Sequence, residues 1–309
     1  MPAPSPSNAA ATAPAAPGAL IRCPQCAAGG LVRPFEREIP WLSRCPSCGL
    51  GFANPQPTDE ELARIYDKHY YEQFGFLEHP GASHAGLALT KRLTYGLMLA
   101  RAEKYAPEKG RLLDAGCGLG FSLVEGARRG WDVMGLDPLA GESESRSRLQ
   151  PHPVCRGDLD GFRPERPFDL ISLIDMIEHV RDPEKTIARA LELLRPGGVL
   201  LVATNNLESG AAHRTGSRWV HFHRAHLWFF SHKTLARATE NAGAKVLEVR
   251  RSWRVYNLDY VCGILARGDN FPLAQRISKW ILRWIPRPLR LIPWPPLPEG
   301  MFLLARRTH

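Results

Sequence analysis

Glycine takes alternate positions at the end of the stretch Leu112-Leu113-Asp114-Ala115-Gly116-Cys117-Gly118-Leu119-Gly120. Two apolar residues run into an acid and then into those glycines. The pattern predicts a buried strand that ends in a tight turn. Its backbone approaches a ligand closely, because glycine carries no Cβ to stand in the way. Similar runs follow. Asp132–Asp137 ends in an acid 23 residues after Asp114, and Val154–Arg156 runs into Gly157-Asp158-Leu159. Phe168–Asp175 is almost continuously apolar, as expected for a central strand buried on both faces. Arg195-Pro196-Gly197-Gly198 then launches Val199–Thr204. Five strand ends separated by helix-length segments predict an α/β fold with a mostly parallel sheet and helices on both faces.

The glycine spacing differs from the dinucleotide fingerprint G-x-G-x-x-G. The third glycine comes one residue early, and an acid stands two residues before the first. An acid at a strand tip suits an ammonium or sulfonium better than a pyrophosphate. The stretch resembles motif I, D-x-G-x-G-x-G, of the class I S-adenosylmethionine-dependent methyltransferases. Phe168-Asp169-Leu170-Ile171, Glu178-His179-Val180 and Leu194-Arg195-Pro196-Gly197-Gly198-Val199-Leu200 also read as this family's fourth and fifth strands do. The resemblance spans residues 20 to 255 and a last strand. It implies a Rossmann-like seven-stranded sheet that closes with Lys245–Trp253 against Met301–Arg307. It also implies S-adenosyl-L-methionine on Asp114, Gly116, Gly118 and Gly120, with Asp158 and Leu159 near the adenine and Asp175 at the fourth strand's end. Asp137, at the tip of the second strand, is expected to accept the ribose hydroxyls.

A second constellation precedes this one. Cys23-Pro24-Gln25-Cys26 and Cys45-Pro46-Ser47-Cys48 form C-x2-C-x18-C-x2-C. Two residues between cysteines let one turn present both sulfurs to a tetrahedral ion. The reading is a zinc ribbon whose 18-residue gap holds a short hairpin. Four thiolates leave no open position for water, so the zinc is structural. It substitutes for a core that so short a segment cannot build alone. Cys117, Cys155 and Cys262 read as small apolar residues.

The domain organisation follows. Residues 1–19 form an uncharged Ala/Pro-rich tail, 20–55 the ribbon, 56–108 a helical lid or linker, and 109–309 the methyltransferase domain with a basic amphipathic insertion at 262–299. Thr58 and Glu61 match a capping box before a helix carrying Leu62, Ile65 and Tyr66. Tyr70 and Tyr71 either reach the site or pack this helix on the domain. No apolar run is long enough to span a membrane, and the sequence shows no charged-then-apolar signal-peptide pattern. The expected setting is the cytoplasm.

Methyl transfer to a hydroxyl needs a base, and histidine is the usual choice near neutral pH. Asp175, Glu178 and His179 resemble the E-x-x-E-H triplet of ubiquinone-type O-methyltransferases, which implies a divalent cation near them. Alternatively Glu178 and His179 cap the next helix. A denser set follows the fifth strand. His213, His221, His223, His226 and His232 lie within twenty residues among aromatics. His226-Leu227-Trp228-Phe229-Phe230-Ser231 resembles the segment that introduces the last helix in small-molecule methyltransferases. His226 is expected to shape the acceptor pocket, and His179 or His223 to serve as base. Ser231 is expected to cap a helix from His232 to Asn241.

The net charge of +9 is not by itself a nucleic-acid footprint. The fourth strand lacks the N-P-P-Y motif tied to methylation of exocyclic amines, and the ribbon holds little basic charge. Charge gathers instead near the C-terminus. Leu273, Ile277, Trp280, Ile281 and Trp284 recur at helical spacing, with Arg276, Lys279 and Arg283 on the opposite side. The segment reads either as an interfacial anchor, peripheral at the inner face of the membrane, or as a lid packed on the core. The favoured reading is methylation of a small-molecule or lipid-like acceptor at oxygen. An RNA methyltransferase using the ribbon, and a non-catalytic binding module, are the alternatives.

Overall fold

The computed structural model describes residues 19–66, 84–140, 152–266 and 272–307. The N-terminal tail, Tyr70 and Tyr71 lie outside them. Strands β1 (Leu42–Arg44) and β2 (Gly51–Ala53) come first, then helices α1 (Asp59–Ile65) and α2 (His84–Ala102). Next are β3 (Arg111–Ala115), α3 (Phe121–Arg128), β4 (Asp132–Asp137), β5 (Val154–Arg156) and β6 (Phe168–Ile174). Then α4 (Pro183–Leu193), β7 (Leu194–Asn205), α5 (Gly210–Thr215), β8 (Trp228–Phe229), α6 (His232–Asn241) and β9 (Ala244–Arg254) follow. The chain closes with α7 (Leu258–Leu265), α8 (Pro272–Trp284), α9 (Arg287–Arg290) and β10 (Leu297–Arg307).

Seven strands form the main sheet in the order β5-β4-β3-β6-β7-β10-β9. The β3, β4, β5, β6 and β7 pairings are parallel, and β10 runs antiparallel to both neighbours. Alternation along each strand sorts the apolar side chains onto two faces. Leu113, Ile171, Leu173, Leu200 and Leu303 face Ile187 of α4 and Leu235 of α6. Leu112, Leu170, Val199, Leu201 and Leu304 face Met98 and Leu99 of α2 and Leu123 of α3. The sheet is therefore sandwiched between helices, as the five apolar runs predict.

Local signals act where expected. Thr58 and Glu61 form the reciprocal capping box of α1. Ser231 caps α6, and Gly243 follows that helix at φ +90°. Asp182, not Glu178 or His179, caps α4 through the Lys185 N–H, so the capping role expected of that pair falls to another residue.

The ribbon departs from expectation in one respect. The β1–β2 hairpin wraps the second cysteine pair, while the 18-residue gap holds a single bridge between Val32 and Arg44. Pro34 and Pro40 lack the N–H groups a longer ladder needs. The hairpin is completed by the main domain, because β2 pairs with β8 through Gly51↔Phe229 and Phe52↔Trp228. Phe52, Cys23 and Cys45 share one apolar core with Leu227, Trp228 and Phe230.

Candidate active site

The strand order reverses between β3 and β6, the place where open α/β sheets bind ligands beyond their carboxyl ends. A cavity of about 540 Å³ opens there. Ala115–Leu119, Leu136–Leu139, Gly157–Leu159 and Ile174–Met176 line one part. Tyr66, Lys91, Tyr95, His221, His223, Arg254 and Tyr260 line another.

The glycine turn is built for close approach. Gly116, Gly118 and Gly120 adopt φ of +75°, +51° and +75°. A Cβ on Gly116 would sit 2.6 Å from Cγ of Met176, so no side chain fits there. Asp137 is buried and accepts the Gly118 N–H at 2.9 Å and the Leu139 N–H at 2.9 Å. Its carboxylate thereby locks the turn to β4. Asp158 is exposed and accepts the Gly161 N–H, while Leu159 is buried beside it. Gly116, Gly118, Asp137, Asp158, Leu159 and Asp175 all line the cavity.

Asp114 and Gly120 do not line it. The Asp114 carboxylate is buried and turned away, accepting from the hydroxyls of Ser122 and Ser172, the latter at 2.6 Å. Burial pushes its pKa up to about 6. It ties the tip of β3 to β6 and to α3, and so holds the glycine turn in place from behind. Gly120 starts α3 in the left-handed region.

Four histidines crowd the other end. The His226 ring centroid lies 3.8 Å from His223, 4.6 Å from His179 and 5.9 Å from His221. Desolvation pushes His179 down to about 4, and His221 and His223 to about 3. His226 is likewise held well below the usual range by burial. All four are neutral at pH 7. Nδ1 of His179 lies 2.9 Å from the Ala225 carbonyl, which can only accept, so Nδ1 carries the proton and Nε2 the lone pair. The Tyr66 hydroxyl sits 2.6 Å from the same Nδ1. Nδ1 of His226 is fixed the same way by the His221 carbonyl at 2.9 Å. His213 instead hydrogen-bonds the Ser209 backbone and His232 opens α6, so these two do not join the cluster.

The Asp175, Glu178 and His179 triplet is not assembled as a ligand set. Asp175 stands at φ +52° and closes on Arg254, with contacts of 2.5 and 3.0 Å. Glu178 and His179 approach His226 instead, with one ligand atom from each within 4.8 Å of the others. A cation on the expected triplet would have to displace Arg254. Glu178 is buried, and its carboxyl is pushed up to about 8 by desolvation and by Asp175. Its backbone carbonyl accepts the Leu227 N–H at 2.8 Å, which fixes the approach to β8.

The four ribbon cysteines do fit a metal. Sγ of Cys23 lies 3.6 Å from that of Cys48, and Sγ of Cys26 3.5 Å from that of Cys45. All four sulfurs fall within 4.8 Å of one another. A tetrahedral zinc with bonds of about 2.3 Å needs sulfurs about 3.8 Å apart.

Sequence reasoning missed Lys91, Tyr95, Arg254 and Tyr260, which share no local pattern. It named Tyr66 only as part of the helix after the ribbon, whereas Tyr66 also lines the cavity.

A parallel sheet closed by one reversed strand, with a glycine turn and strand-end acids around a single crevice, defines the class I S-adenosylmethionine-dependent methyltransferase class. A family model described as a methyltransferase domain matches residues 91–249, and the chain belongs to that family. The ubiquinone biosynthesis O-methyltransferase of Caulobacter sp. (strain K31) is 34% identical over 122 residues, 36% of this chain and 47% of that protein. The chain thus spans about half the length of the curated relatives it matches. Among solved structures, the 1,6-didemethyltoxoflavin-N1-methyltransferase of Burkholderia thailandensis superposes with a TM-score of 0.50 at 16% identity, covering 86% of this chain and 99% of that one. The 4+2 cyclase SpnF also superposes, with a TM-score of 0.50 at 17% identity, covering 82% of this chain and 97% of that one. These likenesses show the fold; the family match carries the class.

Proposed function

We propose that this chain transfers the methyl group of S-adenosyl-L-methionine to an oxygen of a small-molecule or lipid-like acceptor, with His179 as base. The observation that carries the reading is the neutral histidine cluster at the acceptor end of the cavity whose other end holds the glycine turn. The oxygen methylation in the relatives' name supports the choice of atom.

When bound, S-adenosyl-L-methionine supplies an electrophilic methyl on a cationic sulfur. The chain's residues then have four tasks. Gly116 and Gly118 give the backbone room to approach, and Asp137 accepts the ribose hydroxyls. Asp158 and Leu159 flank the adenine side. Tyr66, Tyr95 and Tyr260 wall the acceptor end and exclude water. His179 receives the acceptor proton on Nε2, because Ala225 holds its Nδ1–H in place. His223 and His226 shape the pocket beside it. No step needs a divalent cation on Asp175. Cys23, Cys26, Cys45 and Cys48 hold a structural zinc that fixes β2, and through it β8.

The test incubates purified chain and methyl-labelled donor with an extract of the host. Label in organic-soluble or small polar products is the expected outcome. Label confined to an RNase-sensitive fraction would replace this reading with RNA methylation, and no transferred label would favour a binding module.

A further inference from the structure

Helix α8 has three faces, not two. Ser278 is buried at the contact with α7, where it hydrogen-bonds the equally buried Cys262. Leu273, Ile277, Trp280 and Trp284 form a second stripe, and it is not packed on the core: they are 70%, 49%, 57% and 63% exposed. Arg276, Lys279 and Arg283 make a third stripe, also exposed. By helical geometry it lies about a quarter turn from the apolar one rather than opposite it. Leu289 and Ile292 continue the exposed apolar surface beyond the helix, and Arg287 the exposed charge. No Asp or Glu occurs from Pro272 to Pro298. Arg290 alone of these cations turns inward, to Asp259 at 3.2 Å.

We propose that this face docks on an anionic bilayer, with Leu273, Ile277, Trp280 and Trp284 entering the headgroup boundary and Arg276, Lys279, Arg283 and Arg287 meeting lipid phosphates. Aliphatic and indole side chains beside a basic edge suit the depth profile of an interface, apolar below and anionic above. A second copy suits it poorly. An antiparallel two-fold contact of the helix would set this cation stripe against its own kind, and no acid lies between Pro272 and Pro298 to pair with it. RNA would use the cations and tryptophans but would leave Leu273, Ile277, Leu289 and Ile292 in water.

The position gives the docking a use. Tyr260 and Cys262 lie two residues apart on α7 and so on opposite sides of it. Tyr260 lines the cavity and Cys262 contacts α8. One helix therefore separates the docking face from the acceptor end. The inference goes beyond the methyl-transfer reading and stands without it, because its test reads membrane binding alone.

Full-length chain is mixed at low salt with phosphatidylcholine–phosphatidylglycerol vesicles and with phosphatidylcholine vesicles. Co-sedimentation with the anionic vesicles and a blue shift of tryptophan emission are expected, both reversed by high salt. The pair Trp280→Ser and Trp284→Ser should lose the shift and lower the partition by roughly tenfold. Arg276→Gln with Lys279→Gln and Arg283→Gln should lower it comparably while leaving cofactor binding intact. No sedimentation of the unaltered chain at low salt would overturn the proposal. So would partition indifferent to the tryptophan pair, RNA binding that displaces the vesicles, or a dimer that the tryptophan pair dissolves and vesicles leave intact.

Discussion

The guanidinium of Arg254, at the end of β9, grips the carboxylate of Asp175, at the end of β6, with contacts of 2.5 and 3.0 Å. The pair joins two strands that are not neighbours in the sheet and closes the cavity between them. Burial acts to raise the Asp175 pKa, but Arg254 and then Lys91, 3.9 Å away, hold it well below the usual carboxylate range. The side chains are 12% and 26% exposed, so water screens them only in part. Arg254→Met is expected to cost about 2–3 kcal/mol, below the range for fully buried pairs. Adding Asp175→Asn should recover much of that loss. A double variant no more stable than Arg254→Met would show that the unpaired Asp175 charge is not the source of the loss.

Activity should persist well below the ordinary histidine pKa. A base must be deprotonated, and desolvation pushes His179 down to about 4. The acid limb of kcat is therefore expected near pH 4, not near 6.5. A limb near 6.5 would assign the base to a solvated histidine instead. His179→Gln should lower kcat by roughly a hundredfold or more with cofactor affinity unchanged.

Stability should peak near neutral pH. Below the unfolded value of about 6.5, His179, His221 and His223 bind protons in the unfolded chain but not in the folded one. Their contribution is lost as pH falls from 6.5 toward their folded values. Glu178 works the other way. Its folded pKa of about 8 exceeds the reference 4.5, so its contribution is lost as pH rises through that window. Glu178→Gln should flatten the alkaline side of a plot of melting temperature against pH. An unchanged slope between pH 6.5 and 8 would remove Glu178 as its cause.

Zinc removal should damage the acceptor end more than the cofactor end. The second cysteine pair lies inside the β1–β2 hairpin, and β2 pairs with β8, two residues beyond His226. Chelation, or Cys45→Ser, is expected to lower methyl transfer while donor binding by calorimetry stays within a few-fold. Metal analysis of the untreated protein should find zinc. Iron, or no bound metal, would contradict the structural-zinc reading.

Gly116→Ala tests the cofactor end directly. The residue stands at φ +75°, and its new Cβ would meet Met176 at 2.6 Å. Donor affinity should fall by at least about tenfold. Affinity equal to that of the unaltered chain would mean that the donor does not lie over this turn.

Much of this was legible in the chain itself. Apolar runs ending in acids or glycine predicted β3 to β7, because a strand buried on both faces needs a continuous apolar run and a turn beyond it needs special residues. The cysteine pairs, the Thr58 capping box and the Ser231 cap were equally local. The candidate site was legible only in part. Asp137, Gly116 and His179 line the cavity, whereas Asp114 stands behind its wall with Ser122 and Ser172.

Local pattern determined which elements form, since strand alternation, caps and metal knuckles depend on residues a few positions apart. Tertiary structure alone decided what meets across the fold. Arg254 lies 79 positions from Asp175, and Tyr66 lies 113 from His179. Whether α8 buried or exposed its tryptophans depended on which of its three faces α7 would cover. Such contacts depend on how the packed sheet and helices converge, and neither residue of a pair carries a mark of its partner.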